Sequence, residues 1–174
     1  MSNINIAEQR HLLKFLLTAA AFLFVGTVQG VVQVLPAIRV WLDAVGSPIS
    51  GPGHMIDPLA HAHINIVGGL VMIGMAMTYY LFEQIAGRAI LSRRLCTHSY
   101  AWLTVGVCCF YSTLMFFGIW EGNLLLADDP TSQAEVHHIY GRFIAVASTI
   151  MGMGFWVFFA NIFIGYRTLK HNNA

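Results

Sequence analysis

Charged residues are scarce in this sequence. Aspartate, glutamate, lysine and arginine make up 10% of its 174 residues, whereas about a quarter of the residues in an ordinary soluble domain are charged. The formal net charge at pH 7 is only +1, so the chain lacks the basic surface with which proteins bind nucleic acids. The composition excludes a soluble globular domain and gives no support to nucleic-acid binding.

Cysteine is also rare, with Cys96, Cys108 and Cys109 as the only three. Their number and spacing are not those of a disulfide framework. None belongs to a Cys-x-x-Cys-His sequence, which excludes covalent attachment of a c-type haem at such a motif. Cys108 and Cys109 lie inside an apolar run, where we expect them to pack as small apolar side chains.

Long apolar runs dominate the rest, since hydrophobic residues make up 57% of the chain. A helix needs roughly 20 apolar residues to cross a bilayer, and four runs reach that length. We therefore predict an all-α membrane protein, with a single domain over residues 1–174 and four transmembrane helices. The predicted spans cover about residues 12–35, 59–83, 97–120 and 138–166.

The connections between the spans differ in composition. Glycine and proline residues predict a loop over residues 46–57, with Pro58 in the first turn of the second span. His54 in this loop is either a further ligand or a solvated histidine. An acidic connection is predicted over residues 123–135 and a polar tail from residue 167 onwards.

Basic residues favour one side of the predicted spans. Lysine and arginine mark the cytoplasmic side, and here they precede span one, connect spans two and three, and follow span four. Both termini are therefore predicted to be cytoplasmic. His98 then falls at the inner side, and five histidines fall together at the outer side. These five are His54, His61, His63, His137 and His138.

Two histidines, His61 and His63, open the second apolar run. Ionisable side chains within a span are costly and mark functional sites. Each residue of a helix advances by about 100°, so side chains two positions apart point to nearly opposite sides. Neutral imidazole is a good ligand of haem iron and also suits copper or zinc. The pair therefore predicts ligands for two groups on two sides of one helix.

The second span resembles the tenth transmembrane helix of the catalytic subunit of haem–copper oxidases. The likeness is closest to the C-type cytochrome c oxidases and the nitric oxide reductases. It rests on the His61-x-His63 opening, on Gly68 and Gly69, and on the Tyr79-Tyr80-Leu81 end. In that family the first histidine is the axial ligand of the high-spin haem and the second is a ligand of the low-spin haem. The resemblance implies these roles for His61 and His63.

The whole chain corresponds to the C-terminal four-helix third of that subunit. Residues 117–122, Phe-Gly-Ile-Trp-Glu-Gly, are similar to the end of the family's eleventh helix, with Glu121 where the pattern has glutamine. The helices that carry the copper ligands, the cross-linked tyrosine and the second low-spin haem histidine have no counterpart. A single copy is therefore not expected to reduce oxygen to water in the manner of the family.

The resemblance implies a b-type haem protein of a bacterial cytoplasmic membrane. It would transfer electrons, or bind or reduce a diatomic gas such as NO or O2, and whether it is an oxidoreductase stays open. Copper has no ligands of the family's pattern here. The alternative is a cofactor-free structural or assembly subunit of a larger respiratory complex. The family's threefold outline implies a homo-oligomer, with a trimer preferred, around haems shared between subunits.

Three residues near the fourth span complete the candidate haem site, His137, His138 and Arg142. The histidines could supply an axial ligand or a metal site, or they could simply lie at the membrane interface. Arg142 is predicted one turn inside the membrane edge, where it needs an anionic partner. Either haem propionates or the carboxylates of Glu121 and Glu135 would serve.

Small and polar residues of the first span are expected to face other helices. Gly26 and Gly30 let a helix or a flat ligand approach the backbone closely. Gln29 and Gln33 are expected to form hydrogen bonds across helices. In an isolated bundle both features are predicted to face lipid, where unpaired amides are unfavourable, and this favours burial against a neighbouring copy.

Overall fold

The computed structural model describes residues 9–172, and over that range the chain folds into helices joined by short connections. Four of the helices are long and apolar enough to cross a membrane. This confirms the predicted all-α class and the predicted number of membrane-length helices. The helices are α1 (Leu13–Gln33, preceded by a 3-10 turn at Arg10–Leu12), α2 (Pro36–Ala44), α3 (Gly51–Ala86), α4 (Arg93–Leu126) and α5 (Pro130–Asn172).

Helix α3 begins earlier than predicted. The loop predicted over residues 46–57 is wrong for its second half, because the helix starts at Gly51 with Pro52 in its first turn, where a proline needs no backbone N–H partner. A kink follows at Asp57, whose φ of −133° and ψ of 109° are not helical. The residue before a proline is disfavoured in the helical region, so Pro58 bends the helix instead of starting it.

Helices α4 and α5 extend well beyond their predicted spans. Helix α5 has 43 residues, which gives a length of about 64 Å, roughly twice the hydrocarbon thickness of about 30 Å. The acidic connection predicted over residues 123–135 shrinks to residues 127–129, and the predicted polar tail is helical through Asn172. Hydropathy marks where the membrane ends, whereas the helices end where their capping residues lie.

Helix α3 lies at the centre of the packing, in contact with α1 on one side and α4 on another, while α5 runs along α4. The α4–α5 contact depends on two glycines. A Cβ on Gly106 would lie 2.4 Å from the Met151 Cα, and one on Gly154 would lie 2.9 Å from the Leu103 Cα. Only glycine lets the two backbones approach this closely.

Two buried clusters form the core, and the histidine pair lies between them. The cluster nearer the chain ends, here called the inner cluster, surrounds Tyr79, whose ring packs edge-on against Phe15 and Phe158 at centroid distances of 5.9 and 5.2 Å. Ala60 belongs to the other, outer cluster, whereas Ile64 belongs to the inner one. The segment between them is therefore held on both sides by close packing.

Candidate functional site

His61 lies against α1 of its own chain. A Cβ atom on Gly30 would lie 2.9 Å from Cε1 of the His61 ring, so the ring fills the space that a side chain at position 30 would need. One turn further along α3, Asn65 does the same at Gly26, where a Cβ would lie 2.2 Å from the Asn65 Oδ1. Of the two uses that the sequence leaves open for these glycines, the structure shows helix packing.

The ring nitrogens of His61 have few partners. Nδ1 is buried and has no hydrogen-bond partner among the described residues. The Asn65 amide nitrogen lies 3.4 Å from Nε2 and donates to the His61 backbone carbonyl at 2.9 Å. A buried unpaired nitrogen is uncommon, yet the contact with Gly30 means that a macrocycle on this side would have to displace α1.

His63 lies on the other side of α3, against α4. Its ring is 4.4 Å from the ring of Phe110, centroid to centroid, with an interplanar angle of 34°. Its Nδ1 lies 2.8 Å from the Leu59 carbonyl oxygen. Because a carbonyl oxygen only accepts, Nδ1 must carry the proton, which leaves the lone pair on Nε2. The prediction that the two histidine side chains point to different sides of one helix is confirmed.

The backbone of α3 is irregular around this pair. His61–His63 is a short α-helical segment between the kink at Asp57 and a π-helical segment at Ile64–Val71. Such wide turns are rare within helices and are often found at functional sites. The predicted ligands therefore lie in the least regular part of the central helix.

The kink exposes the Ile56 carbonyl to three donors. The side-chain nitrogens of Gln29 and Gln33 donate to it at 3.1 and 3.3 Å, and so does the backbone N–H of His61. The prediction that both glutamines bond across helices is confirmed. Both are only 7% exposed, so the prediction that an isolated bundle leaves them facing lipid is wrong, as it is for the glycine pair.

His137 pairs with Glu121. The carboxylate oxygens lie 3.0 and 3.2 Å from Nδ1, and Glu121 is 2% exposed whereas the His137 side chain is 62% exposed. The pair lines an open cleft of about 460 Å³ beside Pro52 and Pro130. A carboxylate on Nδ1 orients the ring and leaves Nε2 for another partner, as in many metal-bound histidines.

Arg142 and His138 have no such partners. Both are exposed on α5, and within residues 9–172 no carboxylate lies at ion-pair distance from Arg142. Of the two anions considered for Arg142, the carboxylate pairing is therefore wrong, because Glu121 bonds to His137 instead. Arg142 borders an apolar groove between α4 and α5 that also includes Thr113.

A second polar group lies at the same end of the bundle. Arg39 bonds to Asp43, one turn further along α2, and to Asp57 at 2.9 Å, while the Ser47 hydroxyl donates to Asp57 at 3.1 Å. The hydrogen bond from Arg39 lowers the pKa of Asp43 from its ordinary value, against the opposing effect of desolvation. His54 lies in the first turn of α3 and bonds through Nδ1 to the Pro48 carbonyl.

The five histidines that were predicted to lie together at the outer side do not form one metal centre. Among the described residues, no three histidine, cysteine, aspartate or glutamate side chains converge where they could hold a metal ion. A haem needs one imidazole with a free lone pair, and His63 fits that need through Nε2, whereas His61 is enclosed by α1.

Sequence reasoning missed Asn65 and the Glu121–His137 pair. The first could have been found from its four-residue spacing to His61, which matches that of Gly26 and Gly30.

No protein-family model, curated protein or solved structure matches this chain. The resemblance to haem–copper oxidases therefore rests on the sequence motifs alone, those of the second span and of residues 117–122. The relationship to this family stays a prediction.

Proposed function

We propose that this protein is a membrane-embedded b-type haem protein in which His63 supplies an axial nitrogen. The observation that carries the proposal is the hydrogen bond between His63 Nδ1 and the Leu59 carbonyl oxygen, at 2.8 Å. It fixes the ring orientation and the tautomer, and it makes Nε2 the basic nitrogen, which is how ligating histidines are commonly prepared.

The bound haem would supply one-electron chemistry or a site for a diatomic gas. Leu59 and Phe110 would hold the His63 ring in place, and Arg142 would offer its unpaired guanidinium to a propionate. Iron held by two protein ligands would suit electron transfer, whereas iron held by His63 alone would suit binding of NO or O2. Oxidoreductase activity would follow only if the bound gas is reduced.

We also propose the setting of this function. The bundle would be of the haem–copper oxidase type, both termini would face the cytoplasm, and the membrane would be the bacterial cytoplasmic membrane. A homo-oligomer, with a trimer preferred, would supply the additional ligand from a neighbouring copy. His137 is the best placed donor for this, because its ring is largely exposed and its Nδ1 is already bound to Glu121.

A cofactor-free structural or assembly subunit is the second candidate function. The observation that favours it is the fit of His61 and Asn65 into the Gly26–Gly30 surface. That fit gives half of the histidine motif a packing role and needs no cofactor.

The absorption spectrum of the purified protein tests the proposal. We expect a Soret band in the unmodified protein and its loss or strong shift in His63→Ala. His98→Ala is the matched control, because His98 is exposed near the start of α4, away from the candidate ligands. Equal spectra for the two variants would contradict the assignment, and the absence of any haem band after expression with added haem precursor would favour the second candidate.

A further inference from the structure

A groove of about 410 Å³ lies between α4 and α5, a volume within the range of about 300–1,000 Å³ that ligand sites have. Thr113 and Ala147 lie at its floor and are only 9% and 2% exposed. Phe143 and Val146 form its rim and are 57% and 61% exposed. In a membrane such exposed apolar side chains contact the lipid tails. The groove is therefore open to lipid.

Contacts between the two helices bound this groove at both ends. At one end the backbones meet at Gly106, where a Cβ atom would lie 2.4 Å from the Met151 Cα. Beyond the other end, Glu121 of α4 lies 3.0 Å from the Nδ1 of His137 on α5. The helices are thus held together on both sides of the groove, which keeps the gap between them in place.

The groove has one charged residue in its wall, Arg142. Arg142, Val146 and Ile150 are spaced four residues apart, so they follow one another along one face of α5. The groove therefore runs from the arginine towards the middle of the helix for two turns, about 12 Å. Half of the hydrocarbon core of a bilayer is about 15 Å thick. The groove thus matches the depth of one leaflet.

Arg142 has no anionic partner among the described residues. Glu121 bonds to His137 instead, and Glu135 lies seven residues earlier on α5, about 10 Å along the helix axis. An arginine inside the predicted membrane edge needs an anion. Because an apolar groove leads away from this arginine, the best-fitting anion is one that carries a hydrocarbon chain.

We infer that the groove binds an anionic phospholipid, with one acyl chain between α4 and α5 and its phosphate hydrogen-bonded to Arg142. A guanidinium binds phosphate oxygens through paired N–H groups. A zwitterionic phospholipid carries a cation beside its phosphate, and that cation would be repelled by the arginine. The site should therefore prefer a headgroup with a net negative charge.

This inference goes beyond the proposed haem function and does not require a haem. A guanidinium has five N–H donors, so Arg142 has enough of them for a phosphate and a propionate together. Native mass spectrometry of the full chain in a neutral detergent reads bound lipid as added mass, separately from any haem.

The first comparison tests the charge. We expect one phosphatidylglycerol molecule to bind about ten times more tightly than phosphatidylcholine with the same acyl chains, a ratio that charge-assisted hydrogen bonds can give. Arg142→Gln should reduce this ratio towards one. Arg167→Gln is the matched control, because it removes an equal charge from an exposed position near the other end of α5, and it should leave the ratio unchanged.

The second comparison locates the acyl chain without changing any charge. Ser112 is exposed and lines the groove, so Ser112→Phe should fill the groove and abolish the tight binding of one lipid. Ser148 is also exposed but lies outside the groove, so Ser148→Phe should bind as the unmodified protein does.

Four results would each overturn the inference. They are equal affinity of the unmodified protein for the two lipids, unchanged preference in Arg142→Gln, full binding by Ser112→Phe, and binding of oleate as tight as that of phosphatidylglycerol. The last result would show that the groove takes a fatty acid and not a phospholipid.

Discussion

At the scale of single residues, the two histidines of the motif have opposite surroundings. The ring of His61 fills a gap in α1, and its Nδ1 has no partner within residues 9–172. The ring of His63 has its Nδ1 fixed and its Nε2 free to bind. Helical periodicity predicted that they point to different sides, but which side is enclosed depends on Gly30, a residue that is distant in the sequence.

The close contact of His61 and Asn65 with Gly30 and Gly26 of α1 gives a first prediction. Gly26→Ala should destabilise the protein by about 1–3 kcal/mol, because the new methyl group would lie 2.2 Å from the Asn65 Oδ1 and must push the helices apart. Gly74→Ala is the matched control, since nothing lies within 4 Å of its Cβ, and it should be neutral or slightly stabilising. The measurement is the unfolding midpoint in mild detergent.

A double variant separates the clash from other effects of the methyl group. Adding Asn65→Ala to Gly26→Ala removes the side chain that collides, so part of the lost stability should return. If the double variant were no more stable than the sum of the two single changes predicts, the close contact would not be the cause.

At the scale of helices, the sequence predicted the number of membrane-length helices correctly but misplaced several of their ends. Apolar runs indicated all four membrane-length helices, because that signal is local and strong. The first turns of α3 and both ends of α5 were missed, since polar residues can continue a helix outside the membrane. The role of the glutamines was predicted only in outline, because the freed Ile56 carbonyl arises from a kink that composition does not reveal.

The start of α5 depends on the Asp129 carboxylate. It accepts a hydrogen bond from the Ser132 backbone N–H at 3.0 Å, which is the bond of an N-cap residue. Hydrogen bonds from the Ser132 side chain and backbone lower the pKa of Asp129 below its ordinary value, with desolvation opposing them. The folded state therefore favours the ionised carboxylate.

The second prediction follows from that shift. Stability from this cap should be complete above the ordinary aspartate pKa of about 3.9 and be lost as pH falls through the lower value of the folded state. Asp129→Asn keeps a cap that cannot be protonated, so its unfolding midpoint should depend less on acid. Glu135→Gln removes an equal charge elsewhere on α5, and an equal loss of acid sensitivity in this variant would contradict the assignment.

At the scale of the whole molecule, four membrane spans would bring both ends of the chain to one side of the membrane. The distribution of arginine and lysine predicts that this side is cytoplasmic. Ser47 would be a poor probe of the opposite side, because it is buried and bonded to Asp57. Ile49 and Ile85 are better, since they are 87% and 84% exposed and lie near opposite ends of α3.

The third prediction tests this orientation. In a background without the native cysteines, Ile49→Cys should react with a membrane-impermeant maleimide added to intact cells, and Ile85→Cys should react only after lysis. The opposite pattern would invert the topology, and labelling of both in intact cells would show that α3 does not span the membrane.

The structure removes one of the reasons for predicting a homo-oligomer. Gln29, Gln33 and the glycine pair are already covered within one copy, so they give no reason for a second. What remains is the additional ligand that the proposed haem would take and the resemblance in outline. The preference for a trimer stays a prediction, which native mass spectrometry of the purified protein would decide.

The covering of α1 by α3 has a consequence for biosynthesis. The chain is made from its N-terminus, so α1 and α2 emerge before α3 exists. Until Ile56, His61 and Asn65 follow, the glycine groove is empty and both glutamine amides are without partners in lipid. The packing surface and the amide groups of α1 thus find their partners only in α3, which is synthesised later. A nascent chain interrupted before Ile56 would therefore leave the Gly26–Gly30 groove uncovered and both glutamine amides without their carbonyl partner.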